Sequence, residues 1–477
     1  MPLQGREIAK GRDAMRKEII VYLDDYKYSG DGNYDTMYLD FRTADDFRHY
    51  WQALWPKTPT PDAPQSPVSL APTKSQRKAE PAAMPAGSYL QIDGYRSPRR
   101  LIRGAYYALN VAMLKQLTPK PVPESLTFAH SFDFGNYSGQ NDDAFHLLQK
   151  HELLNPEELE SSHHNAIQQL DDVFALEYLQ FRVHDVSQAN WNEILCDQHV
   201  LFVYDMGAPL HAKTGEVQRY IDSYASSYTQ DKPVLILSHW DIDHSHCLLK
   251  MSEDEIRNSF SRFICPDRMK TCTSQRIFNK MVSALGKANV HCLSLPKRTE
   301  GSSYPQEHLK FCNQGLRLYI GERCINTNYS GIILYVVGTR GNVILSGDSL
   351  LVQASDVLAD ATAALNEKRE HHLVVPHHGG DFKGKKIYRT YNIPEPLTPI
   401  HAIISVDESN NTYGHPSGDM IDYLTSIAGW TILRTDQGNG TQPFDLSWNI
   451  IEEKFREHNQ RLNEYFGNEL LRELQNK

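Results

Sequence analysis

Between residues 175 and 406 the chain alternates short apolar runs with polar breaks. The runs are LEYLQFRVHDV, HVLFVYDMG, PVLILSHWD, GIILYVVG, NVILSGDS, HLVVPHHGG and HAIISVD. Each is too short for an ordinary helix and rich in branched or aromatic residues, which predicts β-strands separated by helical stretches. Upstream, residues 18–55 read as a small αβ piece: strand-like IIVYL and TMYLDF around the turn GDGN, then a helix capped by Thr43 with Asp46 three residues later. Residues 56–88 are dense in Pro, Ala, Ser and Lys and predict an extended linker. SPRRLIRGAYYALNVAMLKQL predicts a helix, and Asn155-Pro156-Glu157-Glu158 starts another, so that 89–174 reads as a mainly helical region. Its arginines Arg96, Arg99, Arg100 and Arg103 form either a basic face for phosphates or a solvated helix face. Residues 448–477 carry Ile451, Phe455, Leu462, Phe466, Leu470 and Leu474 at helical spacing, an amphipathic helix that packs on the domain or on a partner.

The chemistry collects where the strands stop. SHWDIDHSH at 238–246 follows the apolar run Val234 to Leu237 and puts His239, Asp241, Asp243, His244 and His246 into a few positions. In an extended strand end, residues two apart point the same way, so His239, Asp241 and Asp243 converge while His244 turns in from the loop. Acceptor groups packed this closely are costly unless protons or cations neutralise them, and a pair of divalent metals is the usual solution. Asp205 ends VLFVYD, Asp348 ends NVILSGD, His377 and His378 end HLVVPHHGG, and His415 sits in NNTYGHPSG. Polar residues closing one apolar strand after another line a single edge of a folded sheet. Past the histidine pair, Lys383, Lys385 and Lys386 suit an anionic substrate or are plain surface lysines.

At 477 residues the chain is too long for one ordinary core. With 40% hydrophobic and 23% charged residues it is a folded protein, and a net charge of −10 argues against a scanning duplex-DNA binder without excluding a locally basic cleft. Seven cysteines without a CxxC pair suit reduced thiols. No apolar run approaches the roughly 18 residues of a membrane helix, and the charged start has no signal-peptide core, so the expectation is a cytoplasmic protein with no membrane contact. The chain has no GxSxG elbow, Walker loop or kinase signature to rival the metal reading.

HWDIDH at 239–244 resembles the HxHxDH signature of the metallo-β-lactamase superfamily, with Asp241 where the second histidine usually stands. More narrowly, FRVHDVSQANWNEIL, YDMG, SHWDIDH, NTNYSGIILYV, LSGDS, VVPHHGG, AIISVD and NTYGHPSGDMIDYL are similar, in this order, to the lactamase-like domain of ComEC-type competence proteins, over residues 175–447. The resemblance implies an α/β fold, the αββα metallo-β-lactamase sandwich, here with an N-terminal α+β extension. It implies His239 and Asp241 on one metal, Asp243 and His244 on the other, Asp348 bridging, and His377 or His378 completing the second site. Asp205 then orients ligands from behind, His246 is an extra ligand or an outer neighbour, and Asp243 and His415 act on the reacting group. The superfamily's further histidine is missing, with Asn328 or Ser330 in its region. Carboxylate-rich donors open the two sites to zinc or manganese, and to magnesium or iron.

The expected function is therefore a metal-dependent hydrolase working through a dinuclear centre and a bridging hydroxide on phosphodiester bonds, a nuclease or phosphodiesterase. Its expected partner is an anionic substrate, single-stranded nucleic acid or a nucleotide. The alternatives are hydrolysis of a lactone, thioester or amide on the same metals, or a degenerate scaffold whose N-terminal region recognises a partner protein.

Overall fold

The computed structural model describes residues 18–30, 32–55, 87–97, 101, 103–122, 125–134, 145–147, 179–302, 304–312, 315–324, 327–338, 341–363, 370–380, 400–407, 414–426, 430–438 and 444–445. Residues 56–86, the Asn155 helix start, Arg99 and Arg100, Lys383, Lys385 and Lys386, and the 448–477 helix lie outside the described residues. Among the described residues no helix is long and apolar enough to cross a membrane.

The described residues between 18 and 147 build one sheet with two helices. Its strands are β1 (Glu18–Gly30), β2 (Asn33–Phe41), β3 (Tyr89–Arg96), β4 (Tyr106–Asn110), β5 (Lys120–Pro121), β6 (Phe128–Asp133) and β7 (Phe145–Leu147), in the order β5-β6-β3-β2-β1-β4-β7. Helix α1 (Ala44–Leu54) opens at Thr43, whose hydroxyl accepts the Asp46 N–H, and α2 (Val111–Leu114) is one turn.

Among the described residues of 89–174 strands dominate where a helix was expected, and β3 and β4 pair with β2 and β1 in one sheet. The stretch read as a helix from Ser97 breaks at Gly104, which takes φ +79, and its aromatic pair Tyr106-Tyr107 runs antiparallel to β1, Tyr22 opposite Tyr106 and Glu18 opposite Asn110. Aromatic residues favour a pleated, half-buried surface, and the partner strand lies about a hundred positions back, beyond the reach of a local pattern.

The second sheet comprises β8 (Leu179–Val183), β9 (Asn192–Cys196), β10 (His199–Tyr204), β11 (Val234–Ile236), β12 (Arg262–Pro266) and β13 (Val290–Leu293). The third comprises β14 (Glu307–Cys312), β15 (Leu316–Gly321), β16 (Ile332–Val337), β17 (Gly341–Leu345), β18 (Glu370–Val374), β19 (Ile400–Ile404) and β20 (Trp430–Arg434); β21 (Phe444–Asp445) returns to pair with β8. Helices α3 (Thr214–Tyr224), α4 (Tyr228–Asp231), α5 (Ile242–Lys250), α6 (Glu253–Ser259), α7 (Cys272–Leu285), α8 (Leu351–Ala363) and α9 (Gly418–Ser426) connect the strands.

The alternation along β16 shows how the layers stack. Ile332, Leu334 and Val336 join Phe181, Phe202 and Ile236 in a core between the two sheets, whereas Ile333 and Tyr335 face outward onto Leu351, Val357 and Leu358 of α8. On the far side Val203 and Leu235 pack against Val217, Leu248 and Met281 of α3, α5 and α7. A strand buried on both faces must be apolar at every position, which is why these runs read as continuous. Two packed sheets with helices outside make the αββα sandwich that the sequence led us to expect.

The N-terminal sheet is seated on this sandwich. One face carries its own core with α1 and α2, and Tyr38, Tyr89 and Phe128 of the other join the α3–α5–α7 core. Polar contacts fix the seat: Ser88 Oγ to Thr273 Oγ1 at 2.6 Å, Thr127 Oγ1 to the Leu210 carbonyl at 3.1 Å, and Tyr106 OH to the Lys270 carbonyl at 2.6 Å.

Candidate metal centre

Strand β11 stops at Ile236, earlier than an extended 239–243 requires. Asp241 is the N-cap of α5, and Asp243 and His244 stand in that helix's first turn. Convergence thus comes from a strand, a short loop and a helix start, not from strand alternation, a correction to the expected local geometry. Asp243 gains from its place, since helix N-termini favour negative charge. Asp205, just past β10, takes φ +61, which lets its carboxylate turn back toward α5. Asp348 follows β17, and His377 and His378 follow β18 in consecutive left-handed conformations.

Among the described residues two groups of donors form. His239, His244 and Asp348 offer ligand atoms all within 4.8 Å of one another, and so do Asp243, His244 and His378. His244 Nε2 lies 3.0 Å from Asp348 Oδ1 and 3.9 Å from Asp243 Oδ1, His239 Nε2 lies 3.8 Å from Asp348 Oδ2, and His378 Nε2 lies 3.5 Å from Asp243 Oδ2. Asp241 joins neither group; one oxygen lies 3.5 Å from His239 Nε2 and the other 3.3 Å from Lys270 Nζ.

Each histidine is held by its outer nitrogen. Nδ1 of His244 meets Asp205 at 2.7 Å, Nδ1 of His239 meets Ser238 Oγ at 2.9 Å, and Nδ1 of His378 meets the Ser405 carbonyl at 3.0 Å. The inner Nε2 atoms of His239 and His378 are buried without a hydrogen bond. Outer nitrogen anchored and inner lone pair turned into a carboxylate cluster is the geometry of a metal-binding imidazole, so these residues fit a divalent cation.

The electrostatics agree. Burial opposes charge on His244, yet Asp348, Asp205 and Asp243 outweigh it and hold the ring well above its ordinary range. The cluster therefore favours positive charge at that spot, which a proton or a metal supplies. Burial likewise works against the Asp348 carboxylate, but His377 and His244 hold it well below the usual range.

The other predicted residues fall around this core. His377 touches Asp348 through Nδ1 and Arg103 through Nε2, the latter at 3.1 Å. Asn328 donates to Asp348 Oδ2 at 3.0 Å, whereas the Ser330 hydroxyl donates to the Glu322 carbonyl. His246 is buried with Nδ1 on the Pro209 carbonyl at 3.0 Å instead of on a cluster donor. His415 is buried with its ring 5.1 Å from that of His377, and desolvation keeps it well below its ordinary pKa.

A pocket opens beside the cluster, and Asp24, Asp25 and Arg103 of the N-terminal sheet line it together with Asp243, Asp348 and His415. Burial and the neighbouring Asp241 and Asp243 push Asp24 well above the carboxylate range, and burial pushes Asp25 to about 6 against the pull of Arg103. The sequence reading missed both aspartates, Lys270 and the location of Arg103. The signal for the aspartates was present: IIVYLDDY closes an apolar run with carboxylates, as VLFVYD does.

No protein-family model and no curated protein matches the chain. Solved structures similar to part of it include Tm1679, a metal-dependent hydrolase of the beta-lactamase superfamily, at 12% identity over 57% of this chain and 100% of that one, with TM-score 0.34. The short form of human tRNase Z aligns at 9% identity over 57% of this chain and 100% of that one, TM-score 0.32, and CmlA, a diiron beta-hydroxylase from Streptomyces venezuelae, at 14% over 41% and 34%, TM-score 0.23. Scores this low carry nothing about activity, and the chemistry rests on the site's own geometry.

Proposed function

We propose that this chain is a hydrolase that uses divalent cations, a pair in our reading, to cleave phosphodiester bonds. The observation that supports it is the pair of adjoining donor groups sharing His244, with the inner Nε2 atoms of His239 and His378 buried and lacking hydrogen bonds. Bound divalent cations lower the pKa of water and neutralise charge building on the attacked group. The chain's own part is to hold and orient. His239, His244 and Asp348 would hold one cation and Asp243, His244 and His378 the other, with Asp348 proposed between the two; Asp241 stands beside the first group, 3.5 Å from His239 Nε2 and 3.3 Å from Lys270 Nζ. Asp205 fixes the His244 tautomer, because Nδ1 must carry the proton that its carboxylate accepts. His415, buried at the cavity and kept neutral, hydrogen-bonds the leaving oxygen. Mixed imidazole and carboxylate donors suit zinc or manganese.

Purified protein supplied with Mn²⁺ or Zn²⁺ is expected to cleave bis-p-nitrophenyl phosphate and to lose that activity with chelator. Activity confined to lactone, thioester or amide probes would replace the phosphodiester reading with its runner-up. Well under one metal equivalent after loading, with no turnover of any probe, would leave a non-catalytic scaffold.

A further inference from the structure

We propose that the N-terminal sheet is a working wall of the site, in which Arg103 binds the phosphate of a small phosphodiester. This rests on the hydrolase reading and names its substrate class.

The wall is built by a defect in β1. Leu23 pairs with Leu39 and Asp25 with Tyr38, so Asp24 is an extra residue without a partner on β2. In a regular strand Asp24 and Asp25 would point to opposite faces; the bulge lets both line the metal cavity. The turn carrying Arg103 is pinned beside the bulge, since Gly104 N–H donates to the Leu23 carbonyl at 2.8 Å and Leu23 N–H to that of Ala105 at 3.0 Å. Arg103 forms an ion pair with Asp25, lies 5.5 Å from the centroid of the Tyr26 ring, and brings Nη1 to 3.1 Å from His377 Nε2. A guanidinium offers five N–H donors on a rigid fork, which Asp25, His377 and an incoming phosphate can share. Arg103 lines the same pocket as Asp348 and Asp243, so it would meet the phosphate of a diester bound at the cluster.

Seating narrows the substrate. The sheet, fixed by the Ser88, Thr127 and Tyr106 contacts, walls one side of the pocket with Asp24, Asp25 and Arg103 while Asp243, Asp348 and His415 line it from the sandwich, and a walled pocket suits a small diester better than a groove that tracks a polymer does. Asp25 is the positioning residue that keeps the fork aimed.

The test uses the full-length, metal-loaded protein with Arg103→Ala, Arg103→Lys and Asp25→Asn. Kinetics on bis-p-nitrophenyl phosphate, inhibition by inorganic phosphate, metal content, and cleavage of a labelled single-stranded DNA oligonucleotide are read in parallel. Arg103→Ala is expected to raise KM and the phosphate inhibition constant about tenfold or more with metal content unchanged, Arg103→Lys to recover part of the loss, and Asp25→Asn to shift KM the same way by less. If Arg103→Ala does not fold, Arg103→Lys keeps the charge and loses the fork, and its KM must still rise. Unchanged KM and phosphate inhibition in a folded variant overturn the role of Arg103, and an oligonucleotide cleaved as efficiently as the small diester overturns the substrate class. Wild-type protein that cleaves no phosphodiester sinks the hydrolase reading instead, and phosphate binding then still reports whether Arg103 holds the anion.

Discussion

Nδ1 of His244 lies 2.7 Å from Oδ2 of Asp205, a residue 39 positions earlier whose backbone sits at φ +61. The same carboxylate accepts the Ser238 N–H at 2.6 Å, the Ser238 hydroxyl at 2.8 Å and an N–H of Asn190 at 2.9 Å. A single buried acid therefore sets the His244 tautomer and the loop leading to His239. Asparagine tolerates the left-handed backbone and keeps the shape, but it puts a donor where an acceptor is needed. Asp205→Asn is expected to weaken divalent-metal affinity about 10- to 100-fold while the chain stays folded. Chelator competition checks this, and an unchanged affinity would remove Asp205 from the centre.

Asp348 is met by His244, His377 and Asn328 at once. Asp348→Asn keeps an acceptor for Asn328 and relieves part of the crowding among carboxylates. Metal-free variant and wild type are expected to melt within a few degrees of each other, a difference of about 1 kcal/mol. Loaded to about a thousand times its Kd, the wild type gains about 4 kcal/mol from the ion. The variant is expected to lose most of that metal-induced shift and its turnover, and a full shift in the variant would remove Asp348 from the proposed metal site.

Gly207 shows how closely the β10 loop and α5 approach. A Cβ there would lie 1.7 Å from the carbonyl oxygen of Asp243, and Met206 N–H already donates to the His244 carbonyl at 2.8 Å. Alanine must push away the turn that carries Asp243 and His244, so Gly207→Ala is expected to cost about 3 kcal/mol and most of the metal affinity. Gly215, in the first turn of α3, has open space around its Cβ position. Gly215→Ala is the control, expected to stabilise by about 0.5 kcal/mol. Denaturant titration of both variants decides, and equal effects would mean that the close approach is not a constraint.

The αββα part was legible because β16 and its neighbours are apolar on both faces, a pattern carried within a few residues, and because Asp205, Asp348 and His378 each end such a run. The N-terminal wall was not. YYALN is compatible with a helix when read alone, and only its pairing with β1 makes it a strand. Asp24 and Asp25 share a face because of a bulge whose partner strand defines it, and Lys270 meets Asp241 only after α5 and α7 pack together. Local periodicity contains none of these long-range pairings.

His130 of β6 gives a pH dependence with a definite sign. Its Nδ1 lies 2.9 Å from Tyr50 OH, its ring stacks on Trp55 at 4.6 Å, and it is 7% exposed. Burial lowers its pKa from 6.5 to about 4. In that window the unfolded chain binds the proton and the folded chain does not. Stability from this residue is therefore complete above about pH 6.5 and lost as pH falls toward 4. The full shift corresponds to about 3 kcal/mol, and allowing for partial hydration of the ring leaves about 2 kcal/mol. His130→Phe keeps a ring in the aromatic box and removes the titration, leaving Tyr50 OH without its acceptor. The variant is expected to be the less stable protein at pH 7.5 and to close about 2 kcal/mol of the gap, or reverse it, by pH 4.5. Urea unfolding of both proteins without metal, across that range, measures the difference and cancels the titration of the metal cluster. Parallel stability curves would mean that His130 takes up its proton equally in the folded and unfolded chain.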